Sequence, residues 1–424
     1  MVNTLTLSPG VTLRFFRDSR FKQGCLSFQL VGPMTRQTCA MNALIPNVLL
    51  RGTRVHPSLR AITARLDELY GAAVSPLVRR VGDYQTLGLY CGFMEDRFAL
   101  PGDGVLMPML AFLGELLLDS PLEAGGFLAE FVESEKRNLI STIESERNDK
   151  RVYATNRLLG AMCGGDSFGL PRLGEKEDVA AIDPQSLYAH YRRALSEYPM
   201  EIFYVGSADI RQVAEGLAPL LSRLNRNPIP LAPQTGLRAG KPVNLTEEME
   251  VSQGKLCLGL TTPITNRDPA FPAMQVLNTI LGSGMTSKLF QTVREKLSLC
   301  YSIGSGYYGS KGLVIISAGI DFDKESITRE ESLKQLAACQ NGDITPEELT
   351  AAREAVLSSL RATHDSPGAI EGYYATAALS GMGLTVEAYI RAIEDVTLDQ
   401  VVAAANTLTL HSTYFLRGYA NETL

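Results

Sequence analysis

The chain has 424 residues, 45% of them hydrophobic and 20% charged, with a formal net charge of -6. That length exceeds one ordinary core and suits two domains of roughly 200 residues each. The acidic balance gives no electrostatic basis for binding nucleic acid or an anionic membrane, and no stretch approaches the roughly 20 apolar residues that span a bilayer. The first ten residues, Met1 to Gly10, lack a basic run followed by a long apolar run, so the cytoplasm is the expected location. The seven cysteines are scattered, with no C-x-x-C pair, and read as buried reduced thiols. The four histidines are also scattered and form no local metal motif.

In chain order, Thr4–Leu7, Val11–Phe16 and Gly24–Val31 alternate at period two and predict strands. Cys39–Leu50 predicts an apolar helix, although Pro46 inside it removes a backbone hydrogen bond unless it falls in the first turn. Ser58–Tyr70 predicts an amphipathic helix with Leu59, Ile62, Leu66 and Leu69 on one side. A strand from Gly71 then pairs naturally with Tyr84–Cys91. Helices follow over Val105–Leu118, Phe127–Arg147, Lys150–Cys163, Asp183–Ala194 and Ile210–Leu224, with a strand at Met200–Gly206. Residues 227–248 carry three prolines near their start and no helical period, and read as a linker.

The second half replays the first. Lys255–Thr261 predicts a strand and Ala270–Leu281 an apolar helix. From Leu281 to Tyr301 a glycine turn leads into a further helix. Gly282 and Gly284 permit backbone angles that other residues resist, and Thr286 or Ser287 can cap the helix. Leu289, Phe290, Val293 and Leu297 lie on its apolar face, with Arg294 at the border. A strand begins near Tyr301 and Gly312–Asp321 is its partner. Helices cover 328–339, 345–363, 366–379, 385–395 and 397–408, and Thr413–Tyr419 closes the order. The sequence of strand, two helices, two strands, helices, strand occurs twice. It predicts an α+β fold of two homologous domains, each a mostly antiparallel β-sheet covered by α-helices. The domains would be 1–226 and 249–424, joined by the linker.

The stretch Leu281–Tyr301 resembles the C-terminal signature of the pitrilysin/insulinase family of zinc peptidases, and most resembles small bacterial members related to mitochondrial processing peptidase. Leu49-Leu-Arg-Gly-Thr53, Phe168–Asp178 and Tyr204-Val-Gly206 extend the resemblance over nearly the whole chain. The family's inverted motif, His-x-x-Glu-His, places two histidines one helical turn apart. With a later glutamate they hold zinc, leaving one open position for water. Aligned on Arg51-Gly52-Thr53, the motif positions here are Ala43, Pro46 and Asn47, and the later glutamate position is Thr142, with Glu144 nearby. The resemblance therefore implies no zinc bound by this chain.

The family's other functional pair maps onto Arg294 and Tyr301. The resemblance implies that the arginine holds a peptide carbonyl or carboxylate and that the tyrosine donates to the developing oxyanion. It further implies a non-catalytic subunit of a heterodimeric metallopeptidase. That subunit would lend both residues in trans to a homologous zinc-bearing partner acting on unfolded peptides. The alternative is an inactive structural or peptide-binding homologue, with Arg294 merely paired to Glu295 and Tyr301 merely packed.

Overall fold

Each of the two larger sheets has a buried central strand, Gln23–Pro33 in one and Gly254–Thr261 in the other. The computed structural model describes residues 2–419 and divides into two units. The first holds the residues up to Glu144, Pro171–Pro233 and His364–Thr376; the second holds Ser145–Leu170, Gln234–Thr363 and the chain from Ala377.

In the first unit the strands are β1 (Asn3–Ser8), β2 (Val11–Arg17), β3 (Gln23–Pro33), β4 (Ala73–Val81) and β5 (Tyr84–Met94). A two-residue pair, β6 (Leu122–Glu123) and β7 (Gly126–Phe127), stands apart, and β8 (Met200–Gly206) rejoins the sheet. The sheet order is β1-β2-β8-β3-β5-β4. Only β2 and β8 run parallel; the remaining neighbours are antiparallel. Leu13, Phe28 and Leu30 of this sheet pack with Leu44 and Ile45 of the Arg36–Leu49 helix, Leu113 and Leu116 of the Leu106–Leu118 helix, and Leu217 of the Ile210–Ser222 helix.

The second unit contains β9 (Asn244–Glu248), β10 (Gly254–Thr261), β11 (Ser302–Tyr308), β12 (Leu313–Ile320) and β13 (Thr409–Arg417). Their order is β11-β12-β10-β13-β9, with β9 and β13 parallel and the other pairs antiparallel. Read from β9, this is the order β2-β8-β3-β5-β4 of the first unit, including the position of the single parallel pair. Two α+β units with one topology are thus present. The Lys150–Met162 helix covers one face of the second sheet through Leu158 and Met162, against Cys257, Ile315 and Tyr414.

Several expected bounds shift for physical reasons. The stretch read as a linker has no regular element until Asn244, where β9 forms by pairing with β13, a partner remote in sequence. Phe127 belongs to β7 rather than to the following helix, which starts at Ala129. Leu59, expected on the apolar face of its helix, is 47% exposed. That helix runs Leu59–Glu68 and is capped by Ser58, whose Oγ accepts from the Ala61 amide. All seven cysteines are buried.

Candidate functional site

The motif-aligned helix, Arg36–Leu49, carries Ala43, Pro46 and Asn47 in its second half. Pro46 lies in the helix interior, not the first turn, so the carbonyl of Asn42 receives no amide proton from it. Ala43 is 1% exposed and offers no donor atom. Asn47 turns its side-chain amide back to the Ala43 carbonyl at 3.2 Å. Thr142, on the Ala129–Asn148 helix, donates its hydroxyl to the Asn138 carbonyl at 2.9 Å. The nearby Glu144 faces Lys176 at 3.4 Å. A methyl group, a proline ring, a self-bonded amide and a self-bonded hydroxyl cannot replace two imidazoles and a carboxylate around zinc. Among the described residues no cluster of three or more His, Cys, Asp or Glu side chains could hold a metal ion.

Beside these positions lies a buried polar network of residues remote from one another in sequence. Asn42 donates to Gln85 Oε1 at 2.9 Å and meets His190 Nε2 at 2.7 Å through its own oxygen. Gln85 in turn donates to the carbonyls of Cys39 and Arg172. Asn42 and Gln85 are fully buried and His190 nearly so. Burial, with a smaller contribution from the nearby Arg193 cation, lowers the His190 pKa to about 4. The imidazole is therefore neutral and serves the fold as a hydrogen-bond donor.

Arg294 and Tyr301 lie in the second unit, on either side of the connection Leu297–Cys300. The segment Leu289–Lys296 is a π-helix, as in the i→i+5 bond from the Leu297 amide to the Thr292 carbonyl. Such wide turns recur at functional sites. Ser287 helps cap it: its Oγ accepts from the Phe290 amide and donates to the Gly284 carbonyl at 2.7 Å. Gly284 takes a φ of +109°, as expected of a turn glycine. Gly282 differs, because it ends the Phe271–Gly282 helix and is needed for space. A Cβ there would lie 2.5 Å from Ser305 Oγ and 2.7 Å from the Ser305 amide.

Leu289 and Val293 are buried, whereas Leu297, expected beside them, is 40% exposed because the wider turn rotates it away. The Arg294 guanidinium lies over the Phe290 ring, 4.5 Å from its centroid. Its carboxylate neighbour is Glu295 at 3.5 Å, a loose pair between two substantially exposed side chains that contributes little. After it, Ser298 holds a φ of +50°, a left-handed conformation uncommon for a non-glycine residue.

Tyr301 is 61% exposed, so the reading of it as a packed core tyrosine does not apply. Its amide donates to the Gly319 carbonyl at 2.8 Å, which pins its backbone to the sheet. Its hydroxyl donates to Asp321 at 2.9 Å, and Lys324 Nζ lies 3.1 Å from the other carboxylate oxygen. Hydrogen bonding to Asp321, reinforced by its charge, raises the phenol pKa. The same bond, followed by that of Lys324, lowers the Asp321 pKa. Tyr301 is thus a protonated, solvent-facing donor at neutral pH. Asp321 and Lys324 escaped the sequence reading; their signal was the acid–lysine spacing of three at the end of β12.

The fold and these positions define a protein of peptidase architecture whose metal-binding positions have no ligands. Residues 181–356 match the family model described as "Peptidase M16 inactive domain", a span that includes Arg294 and Tyr301. A Bacillus subtilis protein named as a probable inactive metalloprotease, YmfF, is 30% identical over 409 residues, covering 96% of each chain. A crystal structure of a conserved protein from Enterococcus faecalis superposes with a TM-score of 0.88 at 26% identity over 98% of both chains. A peptidase M16 inactive domain from Pseudomonas fluorescens does so with a TM-score of 0.80 at 19% identity over the whole of both chains, a likeness of fold. The chain belongs to the peptidase M16 family, the family its motifs resemble, and is an inactive-type member of it. No helix among the described residues is long and apolar enough to cross a membrane.

Proposed function

We propose that this chain is the zinc-lacking subunit of a heterodimeric peptidase and contributes Arg294 and Tyr301 in trans to the cleavage of unfolded peptides. One contrast carries the reading: the motif-aligned helix has no metal ligands, while Arg294 and Tyr301 keep reachable donors. In this reading the guanidinium holds a substrate carbonyl or carboxylate through paired hydrogen bonds. The Tyr301 hydroxyl swings from Asp321 and donates to the oxygen that gains charge as the tetrahedral intermediate forms. Asp321 holds the phenol proton until then, and Lys324 balances the carboxylate it leaves. The zinc, and the water it activates, belong to a homologous partner subunit. Seven scattered, buried cysteines suit a reducing compartment, and the cytoplasm is the proposed location.

A second reading, an inactive structural or peptide-binding homologue, is favoured by one observation. The Tyr301 hydroxyl already has an acceptor in Asp321. The two readings separate on mixing this chain with a zinc-bearing M16 chain from the same cell. Stable one-to-one association together with peptide cleavage absent from either chain alone supports the first. Association without any gain in cleavage sinks it in favour of the second.

A further inference from the structure

The first unit carries a second arrangement of arginines, unrelated to the Arg294 helix. A cavity of about 480 Å³ is lined by Arg51, Arg60 and Arg137, together with Leu59, Phe131 and Ser134. The three guanidinium groups come from three separate elements. Arg51 follows the Arg36–Leu49 helix, Arg60 sits in the first turn of the Leu59–Glu68 helix, and Arg137 is on the Ala129–Asn148 helix.

Packing builds the frame around them. The Thr53 amide donates to the His56 carbonyl, and the Thr53 Oγ accepts from the Val55 and His56 amides and donates to Glu115. Gly52 lets this turn close, since a Cβ there would lie 2.8 Å from the Pro57 backbone and 3.2 Å from the Phe131 ring. Arg51 is thereby set with its guanidinium 5.8 Å from the Phe131 centroid.

The charge in this cavity is only partly neutralised from within. Arg51 approaches Glu135 only at 3.5 Å, and its Nε is buried without an acceptor. Arg60 and Arg137 are exposed and make no ion pair among the described residues. Among the described residues Glu130 is the acidic side chain on the wall. In a chain of net charge -6, three arginines against Glu130 and the Arg51-paired Glu135 leave a local positive field.

We infer that this cavity binds acidic peptide segments, taking glutamate or aspartate side chains on Arg51, Arg60 and Arg137 and a neighbouring apolar side chain against Leu59 and Phe131. Guanidinium forks match carboxylates in paired hydrogen bonds. The mixed wall favours a peptide over a bare small anion, because arginines spread around an open apolar surface fit spaced carboxylates.

The test uses the full chain alone, so it stands apart from any zinc-bearing partner. A short fluorescein-labelled glutamate-rich peptide with one leucine is titrated by anisotropy beside its glutamine twin. The glutamate peptide should bind, and more weakly as salt rises; the twin should bind at least about tenfold more weakly. Arg60→Glu with Arg137→Glu should weaken binding at least about tenfold at an unchanged melting temperature. Should that pair disturb folding, Arg137→Gln alone is expected to give a several-fold loss. Equal binding of both peptides, or binding indifferent to these substitutions, would overturn the assignment. Pyrophosphate binding more tightly than the peptide and displacing it would also overturn it, in favour of a small-oxyanion site.

Discussion

The Arg36–Leu49 helix and the Leu281–Tyr301 stretch have met opposite fates in one molecule. Around the first, the polar groups are taken up by bonds within the fold. Asn47 bonds its own helix, Thr142 bonds its own helix, and Asn42, Gln85 and His190 close a buried network. Around the second, polar groups stay outward: Arg294 is half-exposed over Phe290 and Tyr301 faces solvent on Asp321. The difference teaches that the polar groups of one region serve stability, whereas the other keeps donors within reach of solvent. Substitutions in the first should therefore change stability, and substitutions of Arg294 and Tyr301 in the second should change chiefly what the protein does to a substrate.

The largest effect is expected from Asn42→Ala, which leaves the His190 Nε2–H and Gln85 Oε1 buried without partners. Two such groups at 1–3 kcal/mol each cost about 4 kcal/mol, read as a lower urea midpoint with an unchanged slope. If the loss is below about 1 kcal/mol, the inward closure of this region is not what stabilises it.

Next in size is a pH effect from His190. Its folded pKa, lowered to about 4, lies below the value near 6.5 of an unfolded imidazole. Between these values the unfolded chain binds more protons, so the stability present above pH 6.5 falls as pH drops towards 4. The loss is on the order of 3 kcal/mol. Urea titrations across that window check it, and His190→Gln should flatten the slope there.

A smaller contrast lies between the two glycines of the second region. Gly282→Ala drives a Cβ into Ser305 and should cost about 2 kcal/mol. Gly284→Ala meets open space and suffers only its positive φ, for about 1 kcal/mol. Equal melting temperatures for the two variants would undo the distinction between a packing glycine and a turn glycine. Smallest of all, Arg294→Ala and Tyr301→Phe should each shift stability by less than about 0.5 kcal/mol, measured by thermal melting.

Much of the fold was legible because its signals are local. The short apolar run Met200–Gly206 marks β8 with its observed ends. Thr345 and Thr397 each open a helix with a reciprocal capping box to Glu348 and Gln400. What escaped depends on distant partners. β9 exists because β13 lies beside it, and nothing in Asn244–Glu248 announces that pairing. The π-helical turn that moves Leu297 outward also left no trace, since a 3.6-residue period places that side chain inside. At the site, Arg294 could be singled out from the sequence, but its seat on Phe290 and the Asp321–Lys324 support of Tyr301 needed coordinates. The Asn42–Gln85–His190 network needed them for the same reason: its members come from one helix, one strand and another helix.

The measurement that bears most directly on the central contrast is peptide cleavage by this chain mixed with a zinc-bearing M16 chain, comparing wild type with Tyr301→Phe and Arg294→Ala. The account predicts that Tyr301→Phe lowers kcat at least about tenfold with KM little changed, as loss of an oxyanion donor should. It predicts that Arg294→Ala raises KM as well, through weaker substrate binding, and that both variants still assemble with the partner. Unchanged kcat and KM in both variants, in a complex that forms and cleaves normally, would contradict it.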